Sequence, residues 1–551
     1  MATSKKKQIP VEHVDVIVIG SGFGGLGAAL TLAEGGAKVA VLETVGYPGG
    51  CASTYERGGK RYESGATLFS GFAEGQLFER WIRRHGMAVE VSTPDPVVEL
   101  RAPGLELPLA PRRGEMVETF CSLPGAPRKE LKAFFDFQRR VADALWDLFD
   151  DPRLLPPLGL DELMLHARRL PSYLPLVRLI GRSAATVARR FGVWDFEPLR
   201  IYLDAVSQIT VQASASEAEA PFALGAMDYY FRGTGHVHGG IGALAQGMVG
   251  AIENLGGEVH YFRRATGISA AHGSRWRVET RRGALEAPAL VANLLPQAID
   301  GLLEGELPRP ERLNRLARQV EGGWGAAMLY LTLAPNALER TEAHHLELVQ
   351  DPSKPFTEGN HLFCSISDAA ETERAPGGRR TVTVSTHVDA ARIAAMSQEE
   401  QASYIGSVQE RMDQGLRALA PELAAGIEDS MPGSPRTFRR FTGRPEGFVG
   451  GIPRRVGLQH YDPRELGPQP LVIAGRPLYL VGDTVFPGQS TLATALGGRL
   501  AAERILSEQS FEGPTIEPDP RGGRGDELSR SRERGPGFGM PAAARSAFSE
   551  S

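Results

Sequence analysis

The stretch Val16-Ile-Val-Ile-Gly20-Ser-Gly22-Phe-Gly-Gly25 decides the fold of this chain. Its four apolar residues predict a buried strand, and glycines in the spacing GxGxxG follow directly. In such a fingerprint Gly20 allows a tight turn, and Gly22 lets the backbone approach a pyrophosphate. Gly25 permits close contact between the next helix and the strand. We therefore expect a helix N-terminus whose N–H groups bind phosphate.

The residues after the fingerprint extend this pattern to a dinucleotide site. Residues 26–34 are predicted to form the helix, and residues 39–43 a second strand. Glu43 ends that strand about twenty residues past the fingerprint, where a carboxylate can accept hydrogen bonds from both ribose hydroxyls of an adenosine. The order of strand, fingerprint, helix, strand and acid predicts a bound dinucleotide far more strongly than the fingerprint alone.

Two further glycine segments indicate that the dinucleotide carries a flavin. Gly49 and Gly50 follow the second strand, where a double glycine lets the chain pass close to a flat ring or a phosphate. Gly482 and Asp483 end a predicted strand near the C-terminus, and a helix is predicted from Thr491. The acid suits a hydrogen bond to the ribityl chain of a flavin. The helix start would stabilise negative charge on the reduced ring.

Composition excludes several classes of protein. A net charge of -5 on 551 residues argues against nucleic-acid binding. The three cysteines, Cys51, Cys121 and Cys364, form neither a disulfide framework nor a CxxC pair, so we expect no metal site and an inert Cys51 thiol. The single fingerprint and the missing dithiol argue against a pyridine-nucleotide disulfide reductase. Electrons must then pass to or from an external partner such as a quinone or oxygen.

The N-terminal region imitates a signal peptide, because three lysines precede the uncharged residues 16–33. Glu12 and Asp15 interrupt the approach, and the glycines suit a strand, turn and helix better than a membrane span. We expect a cytoplasmic protein, or one that is peripheral on a membrane.

The chain resembles the family of phytoene desaturases, carotenoid isomerases and retinol-saturase-like proteins, within the amine-oxidase-type flavoprotein fold. The resemblance covers about residues 12 to 508. Beside the fingerprint and residues 478–504, it rests on Pro48-Gly-Gly-Cys-Ala-Ser-Thr-Tyr55, Tyr62-Glu-Ser-Gly65-Ala-Thr67-Leu-Phe69 and Gly239-Gly-Ile-Gly242-Ala-Leu244.

The resemblance implies an α/β protein with a Rossmann-type FAD-binding domain and a discontinuous α+β substrate domain. The residues expected at the cofactor are Gly20, Gly22, Gly25, Glu43, Gly49, Gly50, Ala265, Gly482 and Asp483. Ala265 stands where the family usually has a valine whose backbone meets the adenine. Val237 and His238 stand where the family commonly has proline and arginine, and we expect His238 to pack rather than to replace the arginine.

The expected FAD-binding domain comprises residues 12–110, 233–300 and 440–508. The substrate domain comprises residues 111–232, which read as mostly helical, and residues 301–439. Residues 1–11 and 509–551 are expected to be disordered tails, since the C-terminal composition of Gly, Pro, Arg, Ser and Glu cannot bury enough apolar surface.

The resemblance implies an FAD-dependent oxidoreductase, either a desaturase, a saturase or an isomerase, that acts on a long apolar polyene such as a carotenoid. No catalytic residue is assigned, because the flavin carries the hydride chemistry. Glu217, Glu219 and Asp228 could act as acid or base, but solvated or capping roles are favoured. The alternatives are an amine-oxidase or protoporphyrinogen-oxidase type flavoenzyme, and a non-catalytic prenyl-lipid carrier of the same fold. A full FAD site argues against the carrier.

Residues 153–200 bear on substrate access. Leu163, Leu170 and Leu174 alternate with Arg168 and Arg178 along this helical section. The pattern is typical of an interfacial helix pair that docks on a membrane surface, and equally of a domain cap with a solvated basic face. The expected polyene substrate favours docking.

Overall fold

A computed structural model describes residues 11–65, 68–151, 154–155, 159–305, 307–513 and 515–516. Its strands are β1 (Val11–His13), β2 (Val16–Ile19), β3 (Val39–Leu42), β4 (Thr54–Arg57), β5 (Lys60–Glu63), β6 (Val91–Ser92), β7 (Val98–Ala102), β8 (Leu105–Leu109), β9 (His236–Val237), β10 (Glu258–His260), β11 (Ala265–Ala270), β12 (Trp276–Thr280), β13 (Gly283–Ala287), β14 (Ala289–Ala292), β15 (Trp324–Leu333), β16 (His344–Val349), β17 (His361–Ile366), β18 (Arg380–Asp389), β19 (Ile427–Gly433), β20 (Leu471–Ile473) and β21 (Arg476–Leu480).

The α-helices are α1 (Phe23–Glu34), α2 (Leu77–His85), α3 (Arg113–Ser122), α4 (Arg128–Asp150), α5 (Leu160–Val177), α6 (Ala184–Arg190), α7 (Glu197–Val211), α8 (Ala220–Ala226), α9 (Ile241–Asn254), α10 (Pro296–Leu302), α11 (Glu311–Val320), α12 (Ala390–Ala394), α13 (Gln398–Leu419), α14 (Pro421–Ala425), α15 (Pro435–Thr442) and α16 (Thr491–Glu508). No helix in the described part of the chain is both long enough and apolar enough to span a membrane.

A six-stranded sheet in the order β10-β3-β2-β14-β21-β20 carries the cofactor motifs. Its first five strands are parallel, and only the edge strand β20 is antiparallel. The predicted sequence of strand, glycine turn, helix and strand is therefore confirmed in β2, α1 and β3. In such sheets ligands bind outside the carboxyl ends of the strands.

Helix α1 is buried from Phe23 to Ala33, because the sheet covers one side and other helices cover the rest. Its composition is accordingly apolar all round rather than amphipathic. Its backbone also touches that of α16: a Cβ on Gly27 would lie 2.4 Å from Ala495 O, and one on Gly498 2.0 Å from Gly24 O. Glycine is required at both crossing points.

The second large sheet has seven strands in the order β19-β15-β18-β17-β16-β7-β8, antiparallel except between β16 and β7. Alternate side chains point to opposite faces. On β17, Leu362, Cys364 and Ile366 pack in a core with α13, whereas Phe363 belongs to the core on the other face. That other face turns toward the cavity described below.

Helices α3 to α8 occupy most of the region from 112 to 232, as predicted. The apolar residues of α4 at the expected spacing, Leu131, Phe134, Phe135 and Val141, are buried in a core shared with β7 and β8. Helix α5 differs from its neighbours, since none of its residues is buried.

The α/β class is confirmed by these sheets. A four-stranded sheet, β1-β13-β12-β11, adds to the edge of the molecule. Val11, expected in the N-terminal tail, pairs with Ala284 in it, and Gly513 N donates to Gly36 O near the other end of the chain. Hydrogen-bonded structure thus reaches beyond the expected limits of 12 and 508. The rest of the two expected tails, residues 1–10 and 517–551, lies outside the described residues.

Candidate functional site

A cavity of about 1250 Å³ opens at the carboxyl ends of β2, β3, β14 and β21. Strand-end residues from each of these four strands, namely Ile19, Leu42, Asn293 and Val481, line it. Further parts of its wall come from the seven-stranded sheet, from α4, α7 and α8, and from α10, α12, α13, α15 and α16. Ligand pockets commonly measure about 300–1,000 Å³, so this cavity has room for a large cofactor together with a second molecule.

The fingerprint turn forms the cavity wall nearest the N-terminus of α1. Gly20 and Gly22 line the cavity, whereas Gly25 lies behind the turn. A Cβ on Gly25 would lie 2.0 Å from Gly20 O, so glycine is needed there for the helix to approach the strand. Helix α1 has no side-chain cap, and its first N–H groups are available to an anion.

The carboxylate of Glu43 is buried at the end of β3 and also lines the cavity. Its Oε2 accepts hydrogen bonds from Ser21 N at 3.0 Å and Ser21 Oγ at 2.6 Å. Its Oε1 accepts one from Val45 N at 3.0 Å. A carboxylate offers about four acceptor positions. The chain itself uses three of these positions.

The double glycine after β3 rests directly on the fingerprint turn. Gly49 N donates to Ser21 O at 2.8 Å, and a Cβ on Gly50 would lie 3.2 Å from the Gly22 Cα. Both residues line the cavity. The two predicted glycine motifs therefore form one backbone-lined surface, as a pyrophosphate requires.

Gly482 and Asp483 approach the same surface from β21. A Cβ on Gly482 would lie 2.8 Å from the Asn293 Oδ1, and one on Gly22 2.5 Å from the Asn293 Nδ2. Asp483 Oδ2 accepts a hydrogen bond from Arg444 Nη2 at 2.9 Å. Ala265, at the start of β11, lines the cavity on the side of Glu43. Every expected cofactor residue except Gly25 thus borders one cavity.

Two residues of this wall were not predicted. Asn293 follows the buried strand β14, and its position at a strand end was the signal that could have identified it. Arg444 comes from the loop after α15 and carries no local signal. Its guanidinium also lies against Cys51, whose thiol pKa is raised by burial. A raised thiol pKa agrees with the inert role expected for Cys51.

These features fit an FAD molecule. A Cβ at Gly22, Gly50 or Gly482 would lie 2.5, 3.2 or 2.8 Å from its nearest neighbour, so the backbone of each faces the cavity without a side chain. An acid at each expected place, Glu43 and Asp483, completes the set.

Beyond the glycine surface the cavity is lined mainly by apolar side chains. These are Leu68, Phe69, Leu145, Trp146, Leu148, Leu155, Ile209, Val211, Phe222, Tyr229, Met328 and Phe363. Most of them come from α4, α7, α8 and the seven-stranded sheet, and Leu68, Phe69, Leu155 and Tyr229 come from the segments between these elements. The arrangement suits a long apolar molecule held beside the cofactor position.

Tyr230 and Glu347 form a buried pair at this apolar wall. Tyr230 lines the cavity, and its hydroxyl donates to Glu347 Oε1 at 3.0 Å. The Glu347 Oε2 is buried and has no hydrogen-bond partner among the described residues. Burial raises the pKa of Glu347 to about 7, although the Tyr230 hydrogen bond lowers it. The pair can therefore hold a proton near neutral pH beside the cavity. Sequence reasoning missed it.

The carboxylates considered as acid or base do not line the cavity. Glu217 caps Ser214 N, as favoured. Glu219 and Asp228 were favoured as solvated or capping residues, but both are fully buried. Glu219 accepts hydrogen bonds from Gly181 N, Gly457 N and Tyr461 Oη. These donors offset its desolvation.

Asp228 is held by a second set of donors. It is paired with Arg113 and Arg232, and it accepts a hydrogen bond from Gln138 Nε2 at 2.9 Å. The His238 ring meets His236 edge-on, with 5.5 Å between the ring centres, and its Nε2 lies 3.2 Å from the Ser92 Oγ. Neither Asp228 nor His238 borders the cavity.

Comparison with known proteins identifies the family. Residues 23–506 match the family model of flavin containing amine oxidoreductases. Prolycopene isomerase from Daucus carota is 27% identical over 518 residues, which cover 90% of this chain and 81% of the relative. All-trans-retinol 13,14-reductase from Homo sapiens is 23% identical, with 92% of this chain and 87% of the relative covered.

The fold is shared with proteins of known structure. An oxidoreductase from Methanosarcina mazei has a TM-score of 0.58 at 18% identity, covering 89% of this chain and 100% of the other. The family match spans both large sheets and reaches from α1 into α16. The chain belongs to the flavin containing amine oxidoreductase family and is an FAD-dependent enzyme.

Proposed function

We propose that this enzyme acts on a long apolar polyene such as a carotenoid, as a desaturase, a saturase or an isomerase. The observation that carries the proposal is the continuous cavity, which joins the glycine surface to an apolar wall of aliphatic and aromatic side chains. The names of the two relatives support it, since prolycopene isomerase and retinol reductase are named for polyene substrates.

The cofactor contacts are part of the same proposal. Gly20, Gly22, Gly49 and Gly50 would hold the pyrophosphate through their backbone. Glu43 would bind a ribose hydroxyl, Ala265 would lie at the adenine, and Gly482 and Asp483 would meet the ribityl chain. Gly25 would act indirectly, by allowing α1 to approach β2. Bound FAD supplies the hydride chemistry.

The chain's own residues would position the polyene and exclude water. Trp146, Phe222 and Phe363 offer flat surfaces to a conjugated chain, and desolvation of such a chain favours binding. Tyr230 would hold a proton at the wall, with Glu347 behind it.

The domain division supports this assignment of roles. The six-stranded sheet, with its strands from residues 16–42, 258–292 and 471–480, would form the core of the FAD-binding domain. The seven-stranded sheet and helices α3 to α8 would form the substrate domain, which would then also take β7 and β8 from the segment 12–110 expected in the FAD-binding domain. The cavity would then lie at the junction of the two.

The proposed activity is tested with purified, FAD-loaded protein and polyenes in liposomes. Phytoene, prolycopene and retinol are incubated under oxidising and under reducing conditions, with a quinone or oxygen as the external acceptor, and the products are separated by chromatography. We expect conversion of at least one polyene and a dependence on one redox condition. Conversion of amines alone would refute the proposal in favour of the amine-oxidase alternative.

We also propose that α5 docks on an anionic membrane surface. Leu160, Leu170 and Val177 are 82%, 61% and 62% exposed, and the neighbouring Arg168 and Arg178 are exposed as well. Apolar side chains with arginines beside them suit the interface of an anionic bilayer. The next described helix, α6, does not share this character, since it buries four of its residues against the protein.

The position of α5 supports delivery of substrate from the bilayer. Its Arg169 pairs with Asp147 on α4 at 2.6 Å, and the His166 ring lies 3.1 Å from Leu154 O. The neighbouring Leu148 and Leu155 line the cavity. The docking helix therefore covers the outside of a cavity wall.

Co-sedimentation with vesicles tests the docking. Vesicles of phosphatidylcholine with phosphatidylglycerol are compared with phosphatidylcholine alone. We expect binding to the anionic vesicles and roughly tenfold weaker binding of Leu170→Ser. The matched control is Val472→Ser, which removes a 65% exposed apolar side chain from the edge strand β20. Equal losses in both variants would refute docking through α5.

A further inference from the structure

One part of the cavity is lined by arginines of α15 and of the loop after it, namely Arg436, Arg439, Arg440 and Arg444. A separate polar spot lies in the wall that the seven-stranded sheet forms. It lies on the two adjacent antiparallel strands β17 and β18, where Phe363 pairs with Ser385. His361 lies two residues before Phe363, and His387 lies two residues after Ser385. Because the strands are antiparallel, both histidines lie on the same face and at the same end of this pair. All four residues line the cavity.

The imidazole of His361 is buried without a complete set of hydrogen bonds. The residue is only 3% exposed, and its Nε2 has no hydrogen-bond partner in the described part of the chain. One face of its ring packs against Phe356, with 5.4 Å between the ring centres. A buried polar atom without a partner costs folding free energy, and such atoms are uncommon in native proteins. A ligand that supplies the partner would recover this cost on binding.

The polar character of this spot does not come from a charge on the two histidines. Burial lowers the pKa of His361 to about 3 and that of His387 to about 4, so both rings are neutral at physiological pH. A neutral imidazole has one N–H donor and one acceptor nitrogen, which matches an alcohol or a carbonyl oxygen. A carboxylate would gain little from it.

We infer that His361 and His387 bind an oxygen atom at one end of the substrate, so that the preferred polyene carries an alcohol or carbonyl end group. The inference rests on the proposed function, because it concerns the same cavity. The hydrocarbon part of the substrate would lie on Phe363 and Met328, and the oxygen would reach the His361 Nε2.

Binding, measured without turnover, tests this specificity. The FAD-loaded protein is titrated with all-trans-retinol, with all-trans-retinal, and with the hydrocarbon in which hydrogen replaces the hydroxyl group. Quenching of protein fluorescence gives the dissociation constants. We expect the wild-type protein to bind retinol or retinal about tenfold more tightly than the hydrocarbon. This comparison needs no variant to fold.

Two variants assign the preference to a residue. His361→Leu should lose the preference, keep its affinity for the hydrocarbon, and unfold at a temperature no lower than that of the wild type. His345→Leu is the matched control, because His345 is also buried in this sheet but does not line the cavity, and its Nδ1 lies 3.2 Å from Val97 O. The control should lose stability and keep the preference.

The outcomes separate this inference from the proposed function. Equal affinity for retinol and the hydrocarbon would overturn the inference alone, as would an unchanged preference in His361→Leu. Tightest binding of all-trans-retinoic acid, titrated in parallel, would also overturn it, since recognition would then rest on a cationic group. If no polyene binds and none is converted, the proposed function falls and the inference with it.

Discussion

The buried Glu347 makes the stability of this enzyme depend on pH in a predictable direction. Burial raises its folded-state pKa from 4.5 to about 7. Each unit of difference between the unfolded and folded pKa corresponds to ~1.4 kcal/mol of stability. Once the group is ionised in both states, the folded state has therefore lost about 3 kcal/mol relative to the unfolded state. Because the folded pKa lies above the unfolded one, the contribution is fully present below about pH 4.5 and is lost as the pH rises through about 7.

Replacement of Glu347 by glutamine removes the ionisation and keeps an acceptor for the Tyr230 hydroxyl. We expect Glu347→Gln to gain stability relative to the wild type between about pH 5 and about pH 8, by roughly 2 to 3 kcal/mol over that interval. The free energy of unfolding is measured by urea titration at both values. The matched control is Glu106→Gln, an exposed glutamate on β8 of the same sheet. If the free energies of unfolding of variant and wild type differ by the same amount at both pH values, Glu347 is not a neutral carboxyl in the folded protein at about pH 5.

Three further predictions concern the cofactor surface. Gly25→Ala places a Cβ 2.0 Å from Gly20 O and should lose FAD during gel filtration, whereas Gly250→Ala, with no atom within 4 Å of the new Cβ, should retain it. Glu43→Gln removes an acceptor from a carboxylate with three chain donors and should weaken FAD binding about tenfold, measured by flavin fluorescence on titration of the apoprotein. Asp483→Asn should lower FAD affinity by a similar factor, and unchanged affinity would exclude the proposed ribityl contact.

The parts of the site that sequence could predict are those built from local patterns. The turn at Gly20 and Gly22, the acid at Glu43 and the helix behind them lie within about thirty residues, as one unit of strand, helix and strand does. The same holds for Gly482 and Asp483 before α16. The order of residues predicts their role, because the N–H groups at a helix start have no partner within the helix and can bind a ligand.

The parts that could not be predicted depend on contacts between distant segments. Tyr230 and Glu347 are 117 residues apart, and each alone looks like an ordinary residue of a buried element. Arg444 reaches Asp483 across 39 residues from a loop with no motif of its own. Burial sets the pKa of Glu347, and burial is a property of the packed sheet rather than of the strand sequence.

The structure of the amphipathic residues 153–200 could be predicted only in part, for the same reason. Exposed leucines on α5 follow from their spacing, whereas the next helix, α6, packs against the protein with four of its residues. Ala184, Ala185 and Ala188 of α6 are buried. Alanine is small enough to suit either a packed or an exposed face, so its spacing could not distinguish the two.

The crossing of α1 and α16 has a consequence for biosynthesis. The two helices meet backbone to backbone, yet they lie at opposite ends of the chain, and β21 joins the cofactor sheet only shortly before α16. At typical synthesis rates the ribosome needs roughly 20 to 90 seconds to travel from one helix to the other. During that time one side of α1 lacks its partner and remains a target for chaperones. The nucleotide pocket is completed only when α16 emerges, so we expect cofactor insertion to be a late, largely post-translational event.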